Sequence, residues 1–125
     1  MSEFKKYELE AQESWGETQA YKEYEKRMKE YDDGKISNLA DGMNEIMKEF
    51  AQLMKHGEEP SSDEAQSLSR KLQAYITENF YTCTKEILFS LGQMYTGDER
   101  FKANIDKHGE GTAEFIKRAI EVYCE

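Results

Sequence analysis

The chain has 125 residues, which suits one domain, and carries a formal net charge of −9 with 34% charged and 38% hydrophobic residues. Duplex DNA is held largely by Lys and Arg on its phosphates, so this balance argues against direct nucleic-acid contact by this chain. No apolar run reaches the roughly 20 residues of a membrane span, and the opening MSEFKKYELE lacks the apolar centre of a signal peptide, so a cytoplasmic protein without membrane contact is expected.

The sole proline is Pro60 and strand-like alternation is almost absent, whereas helical spacing recurs along the chain. A short helix is expected over residues 3–13, closed by Trp15-Gly16. Tyr21, Tyr24, Met28 and Tyr31 then fall at i, i+3, i+7 and i+10, with Thr18 as the expected N-cap. Asp32-Asp33-Gly34 is expected to end that helix in a turn. The longest stripe follows, from Ile36 and Leu39 through Met43, Ile46, Met47, Phe50 and Leu53 to Met54. His56-Gly57-Glu58-Glu59-Pro60 stops it, with Gly57 the natural C-terminal residue. Ser61 precedes Glu64 by three, a capping-box pattern for a helix carrying Ala65, Leu68, Leu72, Tyr75, Ile76 and Phe80.

The run Phe80-Tyr81-Thr82-Cys83-Thr84 interrupts the pattern, and either Thr82 or Thr84 can cap the next helix, with Ile87, Leu88, Leu91, Met94 and Tyr95. Gly97 breaks it, and Asp98 is expected to cap a short helix with Phe101 and Ile105. After a turn at 108–111, Thr112 is expected to cap a last helix with Phe115, Ile116, Ala119, Ile120 and Tyr123. The expected fold class is therefore all-α. Residues 1–34 are rich in Tyr, Trp and charge and poor in aliphatics, so they bury little surface against their ordering entropy. They are expected to form a loosely packed N-terminal helical segment on a firmer helical core of 35–125.

Catalysis has little to stand on. Cys83 could meet His56 or His108 only through the tertiary fold, and a buried cysteine in a helical core is the commoner case. Acidic pairs such as Glu58-Glu59 and Asp32-Asp33 read as solvated turns rather than as general acid and base. No CxxC pair exists and neither histidine stands at ligand spacing to Cys83 or Cys124, so no metal and no cofactor are expected. A disulfide between the two is disfavoured in reducing cytoplasm. Met43, Met47, Met54 and Met94 are first of all core residues, yet thioethers also repack around irregular ligands. Eight tyrosines are many for this length. Each offers a flat apolar face with a polar tip, which suits a ligand built of rings and amides.

The order and spacing of several short motifs resemble one family. Trp15-Gly16-x-Thr18-x-Ala20-Tyr21 is similar to the opening of the TipAS domain, the C-terminal drug-recognition module of a subgroup of MerR-type transcriptional activators. The resemblance continues through Met43-Asn44-Glu45-Ile46, Gly57-x-x-Pro60, Asp63-Glu64-Ala65 and Phe80-Tyr81-x-Cys83. It runs on in Leu91-Gly92-x-Met94-Tyr95, Asp98-x-Arg100-Phe101, Asn104-Ile105-Asp106, Gly109-x-Gly111 and Phe115-x-x-x-Ala119-Ile120. It covers nearly the whole chain.

The resemblance implies a globin-like helical fold without haem, N-terminal helices that close over ligand, and peptide-like ligands rich in aromatic or azole rings, such as thiopeptides and albicidin. It also implies that in full-length activators a helix-turn-helix domain and a coiled coil precede this module, so that DNA is reached only through that separate domain. Neither stands in this sequence, which reads as a fragment, an internally started product or a stand-alone drug binder. The resemblance further implies that, in the family's thiopeptide-binding founder, a cysteine immediately before the Leu-Gly-x-Met-Tyr motif reacts with a dehydroamino acid of the drug. This chain has Ser90 there, and a hydroxyl is far less nucleophilic than a thiolate near neutral pH. Tyr31-Asp32-Asp33 is a further departure, where many relatives have Tyr-Thr-Lys.

The sequence therefore predicts an antibiotic-binding groove between the N-terminal helices and the 80–105 region. Trp15, Tyr21, Tyr24, Phe80, Tyr81 and Tyr95 are expected to stack on ligand rings, and Cys83, Ser90, Met94 and Phe101 to complete the site. An apolar groove for a partner's amphipathic helix is the alternative. A haem-binding globin analogue rests on fold likeness alone.

Overall fold

The computed structural model describes residues 19–125, with side-chain detail from residue 22. The helix expected over 3–13, the Thr18 cap and Trp15 lie outside the described residues, as does the side chain of Tyr21. Six helices follow in order: α1 (Gln19–Glu30), α2 (Asp33–Lys55), α3 (Asp63–Asn79), α4 (Lys85–Gly97), α5 (Glu99–Asp106) and α6 (Thr112–Tyr123). Among the described residues no helix is long and apolar enough to cross a membrane.

Local chemistry sets most boundaries. Asp32 adopts extended backbone and its carboxylate accepts from the Lys35 N–H at 2.8 Å, so it caps α2. The Asp32-Asp33-Gly34 run thus starts a helix as well as ending one. Gly57, at φ +82, follows the end of α2, as the sequence predicted. Thr84 accepts from the Ile87 N–H at 3.2 Å and caps α4, and Asp98 accepts from the Arg100 N–H at 2.9 Å and caps α5.

Two expected caps are displaced. The α3 cap is Ser62, whose hydroxyl accepts from the Ala65 N–H at 3.2 Å, not Ser61. The turn closed by the Ser62 N–H on the Glu59 carbonyl at 3.0 Å brings the extended residue one position later, so the Ser61–Glu64 box does not form. Thr112 is the first helical residue of α6, fully buried, and its hydroxyl donates to the Gly109 carbonyl. The cap position belongs to Gly111, at φ +91, where a side chain would be strained. The orphan Ala113 N–H is met instead by Asp106 Oδ1 at 2.9 Å, from the end of α5. Two backbone amides, of Ala113 and Gly111, and the Lys102 ammonium outweigh burial, the largest single influence, and hold the Asp106 carboxyl below its ordinary value.

The core is organised around α6, which packs against α2, α3, α4 and α5. Its inner face, Ala113, Phe115, Ile116, Ala119 and Ile120, is buried. Gly92 lets α4 lie close, because a Cβ there would stand 3.3 Å from Ile120. Phe50 of α2 and Leu72 of α3 are fully buried, and Phe50 meets Phe115 edge-on at 6.4 Å. Burial of side chains this size stabilises by about 1.5–3 kcal/mol each. In contrast, α1 has no extended contact with any other helix and reaches the core through long side chains.

Candidate functional site

Six of the ring and thiol positions marked by the sequence converge where α1, the end of α3, the 80–84 strap, α4 and α5 meet. Tyr24 lies 6.4 Å from Phe80 and 6.5 Å, edge-on, from Tyr81. Tyr95 and Phe101, on successive helices, stand 6.2 Å apart. The two groups join at Tyr81, whose hydroxyl is pushed well above the ordinary phenol range by burial first, then by its neighbours Cys83, Tyr95 and Tyr24. All five rings are buried, at 6–8% exposure. Offset and edge-on aromatic pairs add about 0.5–1.5 kcal/mol beyond burial, so this is a firm apolar platform.

The strap is pinned from below. The Cys83 N–H donates to Thr77 Oγ1 at 3.1 Å, and its carbonyl accepts from Gln73 Nε2 at 2.8 Å. Gln73 Oε1 accepts in turn from the Tyr123 hydroxyl, tying the strap to the end of α6. Cys83 is therefore held through both its N–H and its carbonyl, and the Tyr81 N–H donates to the Ile76 carbonyl at 3.1 Å. The Cys83 thiol is buried and pushed up to about 12 by burial and by neighbouring Cys124, so almost none is thiolate near neutral pH. Both cysteines are free thiols.

The remaining sequence-marked positions fall elsewhere. Ser90 is exposed on α4 and its hydroxyl donates to the Glu86 carbonyl at 3.2 Å. Met94, one turn further on the same face, is half-buried and packs against the core. Ser90 thus stands outside the buried ring cluster. Trp15 and the side chain of Tyr21 lie outside the described residues.

Sequence reasoning passed over several contributors. Tyr75 meets Phe80 edge-on at 6.2 Å while its hydroxyl donates to the Leu39 carbonyl at 2.6 Å. Periodicity placed it on the buried face of α3 but gave no sign of this second role. Glu23 accepts from both the N–H and the hydroxyl of Thr82, each at 2.9 Å. A charged residue on a polar helix carries no sequence signal for a partner 59 positions away.

Fold and platform together define an all-α, globin-like recognition domain. A family model described as the TipAS antibiotic-recognition domain matches residues 7–123, and the chain belongs to that family. It is 34% identical over 114 residues to the HTH-type transcriptional activator TipA of Streptomyces coelicolor, covering 91% of this chain and 45% of that protein. It is 35% identical over 103 residues to the HTH-type transcriptional activator mta of Bacillus subtilis, covering 82% of this chain and 39% of that one. The chain therefore spans less than half the length of these relatives. Its structure superposes with a TM-score of 0.84, at 32% identity, on TipAS of Streptomyces lividans solved in complex with nosiheptide, a match covering 96% of this chain and 84% of that one.

Proposed function

We propose that this chain binds peptide-like antibiotics rich in aromatic or azole rings, of the thiopeptide or albicidin class, and performs no catalysis. The observation that carries this reading is the match along almost the whole chain to TipAS holding nosiheptide, combined with the convergence of Tyr24, Phe80, Tyr81, Tyr95 and Phe101. All five rings are buried with α1 in place, so they become available to azoles and aromatic amides when α1 moves aside. Residues 1–34 act as the ligand-closing segment over the 35–125 core, with Trp15 and Tyr21 contributing rings. Met94 adapts the edge of the site, beside Ser90.

Binding is non-covalent. Ser90 is a hydroxyl without a base among its described partners, and Cys83 is buried with a raised pKa. The chain serves either as the effector-binding part of a MerR-type regulator or as a stand-alone drug binder in the cytoplasm. In the first case ligand shifts a DNA-bound assembly between two states through a separate helix-turn-helix domain.

Titration with nosiheptide tests the reading. Trp15 fluorescence should blue-shift or quench, and Trp15→Ala should weaken binding by about 2 kcal/mol while costing the free core less than about 1 kcal/mol. Intact-mass spectrometry after denaturation should return unmodified protein. Absence of binding by wild type, or a stable adduct on Cys83, would overturn the respective claim.

A further inference from the structure

The strap at 80–84 is neither helix nor strand, yet it carries Phe80 and Tyr81 in buried positions. Its backbone groups must therefore find partners on neighbouring elements. The Phe80 and Tyr81 N–H groups both donate to the Ile76 carbonyl, at 2.8 and 3.1 Å. At Cys83 the hold passes to side chains. Thr77 Oγ1 accepts from the Cys83 N–H at 3.1 Å, and Gln73 Nε2 donates to the Cys83 carbonyl at 2.8 Å. Gln73 and Thr77 stand one turn apart on α3 and share one side of it.

Gln73 has a demanding task. It is half-buried and bonded on both sides, to a carbonyl that can only accept and to the Tyr123 hydroxyl, which donates to Oε1. The group between them must offer a donor and an acceptor at once. A carboxamide does so at every pH, whereas a carboxyl does so only when protonated. Tyr123 is itself covered by the Lys85 ammonium, 5.0 Å from its ring centroid, and Lys85 opens α4 just beyond the strap. One amide thus joins α3, the strap and the end of α6. None of these bonds passes through α1, so they hold whether or not Glu23 is on Thr82.

We propose that Gln73 is the positioning residue of the ring platform: its carboxamide, with Thr77 beside it, fixes the strap at Cys83 and so sets where the Tyr81 ring meets a ligand. The pinning rests on these bonds alone. Its consequence for affinity rests on the antibiotic-binding reading above. A ligand that stacks on the pinned strap binds with an apparent dissociation constant that scales inversely with the pinned fraction.

Gln73→Glu gives a test in which one protein is compared with itself. At pH 7 the new carboxylate faces the Cys83 carbonyl and repels it, and at about pH 4 or below an ordinary Glu carboxyl takes up a proton and can donate there. Residue-resolved hydrogen exchange, corrected for the intrinsic effect of pH, should show the Cys83 amide protected in wild type at both pH values. In Gln73→Glu that protection should fall at pH 7 by about tenfold or more, as expected where a half-buried carbonyl loses its donor, and return at pH 4. Gln73→Met, which has neither donor nor acceptor, should lose it at both. The amides of 46–51 in α2 should match wild type throughout. Nosiheptide should bind Gln73→Glu about tenfold more weakly than wild type at pH 7 and equally well at pH 4. A Cys83 amide as protected in Gln73→Glu as in wild type at pH 7, no recovery at pH 4, or an equal loss in 46–51 would each overturn the pinning. Equal nosiheptide affinity at pH 7 despite a released Cys83 amide would overturn the positioning role. Failure of wild type to bind nosiheptide would instead sink the ligand reading, and the exchange measurements would still decide whether Gln73 pins the strap.

Discussion

Helices α1 and α2 are consecutive in the chain but are held by different forces. The 23 residues of α2 bury Ile36, Leu39, Ile46, Met47, Phe50 and Ala51 along one face. The 12 residues of α1 bury one ring, Tyr24, among those with described side chains, pack Met28 partly against the core, and add hydrogen bonds from Glu23, Arg27 and the following Tyr31. Apolar burial is non-directional and scales with area, so α2 is tied to the global fold. Hydrogen bonds to charged groups are directional and modest in net worth, so α1 can be released while the rest persists. Under the antibiotic-binding reading proposed above, the part that admits a ligand is thereby not the part that keeps the fold.

The sharpest way to break this contrast is at Phe50. Phe50→Ala leaves a void against Phe115 in the fully buried centre, and chemical denaturation should show a loss of about 3–5 kcal/mol. A loss below about 1 kcal/mol would mean that α2 is not the anchor described here.

Tyr24→Ala should behave differently although Tyr24 is also buried. Its ring contacts include Phe80 and Tyr81, across the joint between α1 and the strap. The main unfolding transition should shift by less than about 1 kcal/mol, while the amides of α1 exchange faster and ligand affinity falls. A loss comparable with that of Phe50→Ala would merge α1 into the cooperative core.

The smallest effect is expected from acid. Glu23 is held below its ordinary 4.5 by the Thr82 N–H first and its hydroxyl next, with burial opposing and Arg27 assisting. A carboxylate whose docked pKa is depressed contributes above its undocked value, and that contribution is lost as pH falls through the docked one. On acidification through and below pH 4.5, NMR signals of α1 should report loosening before those of α2. Asp106 is depressed in the same direction and anchors the start of α6, so the control is Glu23→Gln, in which the α1 step should vanish. Persistence of that step in the Gln variant would assign it to another group.

Much of the architecture was legible because it depends on near neighbours. The stripe from Ile36 to Met54, the Asp98 cap and the Gly57 stop all follow from spacings of four residues or fewer, and the same rule narrowed the α4 cap to Thr82 or Thr84. The displaced caps mark the limit of such reasoning. Ser61 and Ser62 are equivalent to a local rule, and the Glu59 carbonyl chose between them. Thr112 satisfied the cap pattern, but it is buried, and a carboxylate from the preceding helix took its task. The marked rings were legible as residue types, yet the partners of Tyr75, Glu23 and Thr82 were not, since these depend on which chain segments lie opposite.

By itself, then, the sequence determined an all-helical domain, the positions of most helix ends, and the motif order that places the chain in its family. Periodicity, capping and turn chemistry act over one or two helical turns, and such information is complete in a short window of residues. Only the tertiary structure decided that α6 is the helix against which α2, α3, α4 and α5 pack, and that Tyr24 meets Phe80 and Tyr81. It alone decided that Glu23 and Arg27 reach partners 59 and 50 residues away. Those pairings are set by how apolar faces of different helices fit together, and close packing, unlike periodicity, has no expression in any single stretch of chain.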